Sequence, residues 1–238
     1  MLFLTNIGDS LGRLFFLYMA NLRTIIKNGA IYGADIEDIA IVDGRIAERA
    51  KSITPNEGDI VINAEGLVVA PAFVDVHVHF RDPGFTYKED IYTGAKAAAK
   101  GGFTTVVLMA NTKPTVDNVE TLRYVMDKGA ETDIHVLTCA SITKGLQGKD
   151  LIDMDILKAE GAVGFTDDGI PIMDEETVIT AMKKAKELNV PLSFHEENPE
   201  LITNNGINRG KASAHYNIEG SPRAAEIDLI HRDLNLAG

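Results

Sequence analysis

The chain has 238 residues, 45% of them hydrophobic and 24% charged, with a formal net charge of −12. That balance belongs to a folded globular protein and excludes long disordered tracts. Such an acidic surface repels phosphate backbones, which excludes nucleic acid as the leading partner, and no run reaches the roughly 20 apolar residues that span a bilayer.

Residues 1–18 form an N-terminal extension ahead of Met19. Their apolar patch, Leu14–Met19, has Asp9 in front of it and does not read as a signal peptide. Residues 19–70 read as a small β domain, the N-terminal part of a β-sandwich. Their short apolar runs are punctuated by Asn28-Gly29, Asp43-Gly44 and Glu65-Gly66, each expected to be a tight hairpin turn. The single cysteine, Cys139, cannot form an intramolecular disulfide, which fits a reducing, cytoplasmic setting.

After Pro71 the rhythm changes. Strands are expected at 72–80 (AFVDVHVHF), 103–110 (FTTVVLMA), 133–140 (DIHVLTCA), 162–166 (AVGFT) and 190–195 (VPLSFH). Helices are expected at 90–100, 117–129, 150–160, 174–189 and 222–236, with a long loop before the last. Strands alternating with helices imply right-handed βαβ units and a parallel sheet. The expectation for 71–238 is an α/β fold, part of a (β/α)8 TIM-type barrel with about five of its eight βα units. A doubly wound open sheet is the alternative, but no GxGxxG or Walker A loop supports it.

Active sites of such barrels lie at the C-terminal ends of the strands. His77 and His79 end the first strand. Residues two apart on a strand face one side, so their rings can share one metal ion, and Asp75 faces the same way. A bare HxH is weak by itself. Asn111 ends the second strand, Asp168 follows the fourth and His195 ends the fifth. Each has a plain alternative: a turn cap, a left-handed turn residue, a core histidine. Four of five strands delivering such groups to one rim favours a site. His135, His215 and His231 read as structural or surface residues. Glu196 and Glu197 could tune the site from behind His195 or form a solvated loop edge.

The segment VDVHVHFRDPGFTYKEDIYTGAKAAAKGGFTTVVLMANTKP, with GFTDDG and the strand-five histidine, resembles the class I dihydroorotases of the amidohydrolase superfamily. The resemblance runs from about residue 21 to the end. It implies a zinc-dependent cyclic amide hydrolase with two zinc ions. His77 and His79 would bind one, His195 the other, and Asp168 would bridge them. Arg81 and Asn111 would grip the substrate carboxylate. The implied reaction interconverts L-dihydroorotate and N-carbamoyl-L-aspartate in pyrimidine biosynthesis, in a cytoplasmic enzyme. A homodimer, or aspartate transcarbamoylase as a partner, goes with it.

Related hydantoinases and allantoinases bridge their metals with a carboxylated lysine at the end of strand four. Here that strand reads AVGFTDDG, and the nearest lysine, Lys158, lies in the preceding helix. Ala110 stands where the family more often has proline. A further zinc-binding histidine and the general acid/base aspartate are expected beyond Gly238. The alternatives are therefore another cyclic amidase, or a non-catalytic dihydroorotase-like subunit or fragment.

Overall fold

The computed structural model describes residues 23–238, so the expected extension at 1–18 lies outside the described residues. Two compact units are present. The first gathers residues 23–76 with Ile91–Val106 and Asp127–Val136; the second gathers His77–Asp90, Val107–Met126 and Leu137–Gly238.

The first unit contains a five-stranded sheet of β1 (Thr24–Ile31), β2 (Ile36–Val42), β3 (Arg45–Ala50), β4 (Ile60–Asn63) and β5 (Val68–Val69). The order is β3-β2-β1-β4, with β5 also paired to β1. Asp43-Gly44 makes the expected hairpin between β2 and β3, both residues having positive φ (51° and 71°). Asn28-Gly29 does not turn. It lies inside β1, where the register to β2 slips between Ile26 and Gly29, a bulge rather than a hairpin. Packing explains the difference: a Cβ on Gly29 would come within 2.6 Å of Val69 Cγ2, so glycine serves the close approach of β5. The chain turns after β1 instead, where Ala34 N–H donates to Ile31 O. Glu65-Gly66 is a turn but not a hairpin, because β4 and β5 both run parallel to β1.

Asp38 ties this sheet together. Only 2% exposed, it accepts from Lys27 Nζ at 2.5 Å, Asn28 N–H at 2.8 Å and Ile53 N–H at 2.8 Å. Burial by itself would raise its pKa. The Lys27 ammonium and the two backbone donors outweigh that and hold the carboxyl below the usual aspartate range.

From residue 73 the elements alternate as expected: β6 (Phe73–Val78), α1 (Ile91–Gly101), β7 (Phe103–Leu108), α2 (Val119–Ala130), β8 (His135–Thr138), α3 (Met154–Ala159), β9 (Phe165–Thr166), α4 (Glu175–Leu188), β10 (Leu192–Ser193), α5 (Lys211–Tyr216) and α6 (Ala224–Ala237). The six-residue α5 falls in the stretch read as loop. Aspartates start two helices: Asp153 and Asp174 accept from Ile156 N–H and Thr177 N–H.

In the second unit the strand ends lie side by side in chain order. Met109 N–H donates to Val78 O, Cys139 N–H to Leu108 O, Thr166 N–H to Ala140 O, and Phe165 N–H to Pro191 O. The β9–β10 pair is parallel, as is the Ala140–Phe165 bridge. Buried Val107, Met109 and Cys139 pack together with Leu137 and Val163. Burial pushes the Cys139 thiol up to about 12, so it behaves as a small apolar residue. No helix among the described residues is long and apolar enough to cross a membrane.

Asp38→Ala should cost about 2–4 kcal/mol at neutral pH, because it removes the carboxylate partner of Lys27 and the acceptor of the buried Ile53 N–H and the part-buried Asn28 N–H. A carboxyl whose folded pKa is lowered stabilises above its unfolded value, near 3.9, and loses that contribution as pH falls through the folded value. Urea unfolding should therefore show a wide gap between wild type and variant at neutral pH, closing in acid. An equal gap at both would contradict the role given to Asp38.

Candidate metal centre

The site belongs to the second unit. His77 sits in β6 and His79 just past its end, so the strand's alternation puts both rings on one side. Their centroids are 5.2 Å apart and the rings meet edge to face. Asp168 follows β9, in a turn where Ile170 N–H donates to Asp167 O. His195 follows β10. Donor atoms of His77, His79 and Asp168 all lie within 4.8 Å of one another. His77 Nε2 is 3.5 Å from Asp168 Oδ1, His79 Nε2 is 3.5 Å from Oδ2, and His195 Nδ1 is 3.6 Å from Oδ1.

These separations are informative. An N–H···O hydrogen bond would be near 2.9 Å. Two ligands about 2.1 Å from a shared ion in tetrahedral geometry stand roughly 3.4 Å apart. Nitrogen and carboxylate oxygen are the donors a zinc-like ion takes. The donor set therefore fits a divalent metal ion in both chemistry and spacing.

Neighbouring groups hold these side chains in place. His79 Nδ1 is 3.0 Å from Asn111 Oδ1, and Asn111 Nδ2 donates to Asp168 Oδ2 at 2.8 Å. One amide thus ties two donor residues together. Bonded to a carbonyl oxygen, Nδ1 carries the hydrogen, and Nε2 presents its lone pair towards Asp168. Burial lowers the His79 pKa, with Arg81 and His77 adding to the effect against Asn111 and Asp168, so the ring is neutral at physiological pH. A neutral ring is the form that binds metal.

The tandem Asp167-Asp168 divides its labour. The Asp167 side chain turns the other way and is 1% exposed. It accepts from Ile142 N–H at 2.7 Å, Thr143 N–H at 3.0 Å and the Thr143 hydroxyl. Burial raises its pKa, and those donors only partly offset the effect. Asp167 therefore pins the β9 end to the segment after β8 and leaves Asp168 facing the histidines.

Arg81 has φ = 60°, a left-handed conformation unusual outside glycine. It opens the RDPG loop, in which Phe85 N–H donates to Arg81 O. A Cβ on Gly84 would fall 2.0 Å from Lys113 O, so this loop lies directly on the 111–114 segment. Arg81 is half-buried, and its positive charge helps to lower the His79 pKa. The adjoining cleft, of about 460 Å³, is lined by His77, Asp168, His195, Glu197, Asn208 and Arg223 among others. That volume suits a small molecule.

The structure thus brings His77, His79, Asp168, His195 and Asn111 together. One feature escapes the sequence, the Asp167 anchor, signalled only by the tandem aspartates; of the two readings open for Glu197, the structure favours the one behind His195, whose Nε2 lies 3.2 Å from Glu197 Oε2.

A family model described as dihydro-orotase-like matches residues 66–238. The chain is 51% identical over 218 residues to a dihydroorotase of Clostridioides difficile (strain 630), covering 90% of this chain and 52% of the relative. It is 53% identical over 219 residues to a dihydroorotase of Clostridium acetobutylicum, covering 90% and 51%. The chain spans about half the length of these curated relatives. Among solved structures, L-hydantoinase (dihydropyrimidinase) from Arthrobacter aurescens superposes with a TM-score of 0.71 at 21% identity, over 90% of this chain and 50% of that one. An adenine deaminase superposes at 0.52 and 22% identity, over 74% and 50%. These likenesses show a shared fold.

Asp167→Ala and Asp168→Ala should fail differently. The first should lower the unfolding free energy by about 2–4 kcal/mol, leaving three donors without an acceptor. The second should leave the metal-free fold within about 1 kcal/mol of wild type and cut zinc affinity by more than about 100-fold, beyond what loss of an outer partner costs. Melting curves and chelator competition distinguish them. The reverse pattern would contradict the assignment.

Proposed function

The chain belongs to the dihydro-orotase-like family over residues 66–238, and from that premise we propose that the protein interconverts L-dihydroorotate and N-carbamoyl-L-aspartate, a step of pyrimidine synthesis. Its fold is that of the amidohydrolases, a (β/α)8 barrel type, here with five strand–helix units among the described residues. The observation that carries the proposal is the meeting of three histidines with Asp168 at 3.5–3.6 Å, at the strand ends where this fold puts its chemistry.

In this proposal His77, His79, Asp168 and His195 hold zinc, two ions in the whole protein. Asp168 has a ring nitrogen of all three histidines within 3.6 Å, so its carboxylate would be the residue that helps hold both ions. When bound, zinc would lower the pKa of its water towards neutrality and polarise an amide carbonyl.

The chain's own residues do the rest. Arg81 pairs with the substrate carboxylate through its planar fork. Asn111 fixes His79 and Asp168. Its amide reaches Asp168 O only at 3.5 Å, a contact weak enough for a substrate carboxylate to displace. A further zinc-binding histidine and the acid/base aspartate belong to the rest of the protein. A small anionic substrate and a cytoplasmic setting go with this function. A homodimer, or docking on aspartate transcarbamoylase, completes the proposal, as does a β domain formed in part by residues 19–70.

Hydantoinase-type chemistry is less well supported. Lys158 lies on the exposed side of α3 rather than at the end of β9, so no lysine stands where a carboxylated bridge would be. Asp168 occupies that place.

Full-length, zinc-loaded protein should open and close dihydroorotate in preference to hydantoin and dihydrouracil. Chelation should abolish turnover and zinc restore it. Arg81→Ala should raise KM for dihydroorotate about 10–100-fold, the worth of a charged hydrogen-bonded pair. Turnover of the neutral rings without dihydroorotate would overturn the proposal, and no turnover of any ring would favour a non-catalytic subunit.

A further inference from the structure

His195 faces Asp168 differently from the other two histidines. His77 and His79 present Nε2, whereas His195 presents Nδ1 at 3.6 Å. Its Nε2 lies 3.2 Å from Glu197 Oε2. A neutral imidazole has one N–H and one lone pair, and an ionised carboxylate can only accept. A bond to Glu197 therefore puts the hydrogen on Nε2 and the lone pair on Nδ1, the nitrogen that faces Asp168. Asn111 does the mirror operation on His79, bonding Nδ1 and leaving Nε2 to face Asp168.

Local backbone geometry makes this possible. Glu197 N–H donates to His195 O at 3.1 Å, a three-residue turn that folds the Glu197 side chain back over the His195 ring. The flanking residues hold that turn. Asn198, 7% exposed, donates its N–H to Ala225 O at 2.7 Å and its amide to Asp228 Oδ2 at 2.7 Å, fastening the segment to α6. Glu196 is directed elsewhere, towards Asp233, also on α6, and so is not the carboxylate that orients the ring.

We propose that Glu197 is a positioning residue that fixes the tautomer of His195, so that His195 binds metal through Nδ1 while His79 binds through Nε2. This deepens the proposed function and rests on the metal centre assigned there. The carboxylate also draws the Nε2 hydrogen towards itself, which makes Nδ1 a stronger electron donor. His79 and His195 thus have different outer partners, an amide for His79 and a carboxylate for His195. Each exposes a different nitrogen.

The test is zinc affinity of full-length protein, measured by chelator competition, for wild type, Glu197→Ala and Glu197→Gln. Long-range proton–nitrogen correlation spectra of the zinc-bound ring would be recorded in parallel. Glu197→Ala should weaken zinc binding by about 10–100-fold. Glu197→Gln, which keeps an oxygen acceptor for Nε2–H, should recover most of that loss, and wild-type His195 should carry its hydrogen on Nε2. Unchanged affinity in Glu197→Ala, equal losses in both variants, or His195 metallated through Nε2 would overturn the proposal. None of these readouts needs dihydroorotate. Failure of the enzymatic assignment would appear separately, as normal zinc binding without turnover.

Discussion

The Asp168 carboxylate meets ring nitrogens of three histidines at 3.5–3.6 Å, and much of the second unit serves that spacing. Such distances are too long for hydrogen bonds and suit ligands of a common ion. Holding them takes rigid supports. The strand ends supply the first, through the backbone bonds that link β6, β7, β8, β9 and β10 in turn. Apolar packing of Val107, Met109 and Cys139 behind those ends supplies the second. Asp167 supplies a third, a buried carboxylate that secures the end of β9 from the side away from the histidines. The outer bonds from Asn111 and Glu197 then set ring orientation.

Much of this was legible in the sequence because it follows from periodicity. The alternation of apolar strands with helical segments placed five strands and five of the six helices. His77 and His79 follow from the two-residue repeat of a strand. Asp168, Asn111 and His195 follow from asking which polar residue ends each strand. The ligand set itself came from family resemblance.

What escaped depends on contacts between distant residues. Asn28-Gly29 has the composition of a hairpin, but the approach of Val69 over Gly29 keeps it within β1 as a bulge. Tertiary packing overrode turn chemistry there. Which of two adjacent aspartates faces the site was decided by Ile142 and Thr143, more than twenty residues earlier. Asn111 was legible as a rim residue, yet its bonds to His79 and Asp168 depend on three strands meeting. Glu197 looked as much like a solvated edge as a site residue, until the turn after His195 folded it back.

Charge connects the site to its ligand. The chain carries a net charge of −12, which by itself repels a small anion. A local cation at the metal rim reverses that, and Arg81 stands there, half-buried next to His79. In the proposed function, anion selectivity rests on the Arg81 guanidinium together with the metal. In the proposed reaction a neutral ring would leave that guanidinium without a carboxylate partner, which is why the proposal favours an anionic ring over a neutral one.

The central claim is that the strand ends place His77, His79 and Asp168 around one ion. Anomalous scattering at the zinc edge from crystals of the zinc-loaded, full-length protein tests it most directly. The account predicts a peak about 2.0–2.2 Å from Nε2 of both histidines and from an Asp168 carboxylate oxygen. Zinc bound in solution but scattering from elsewhere in the molecule would contradict it.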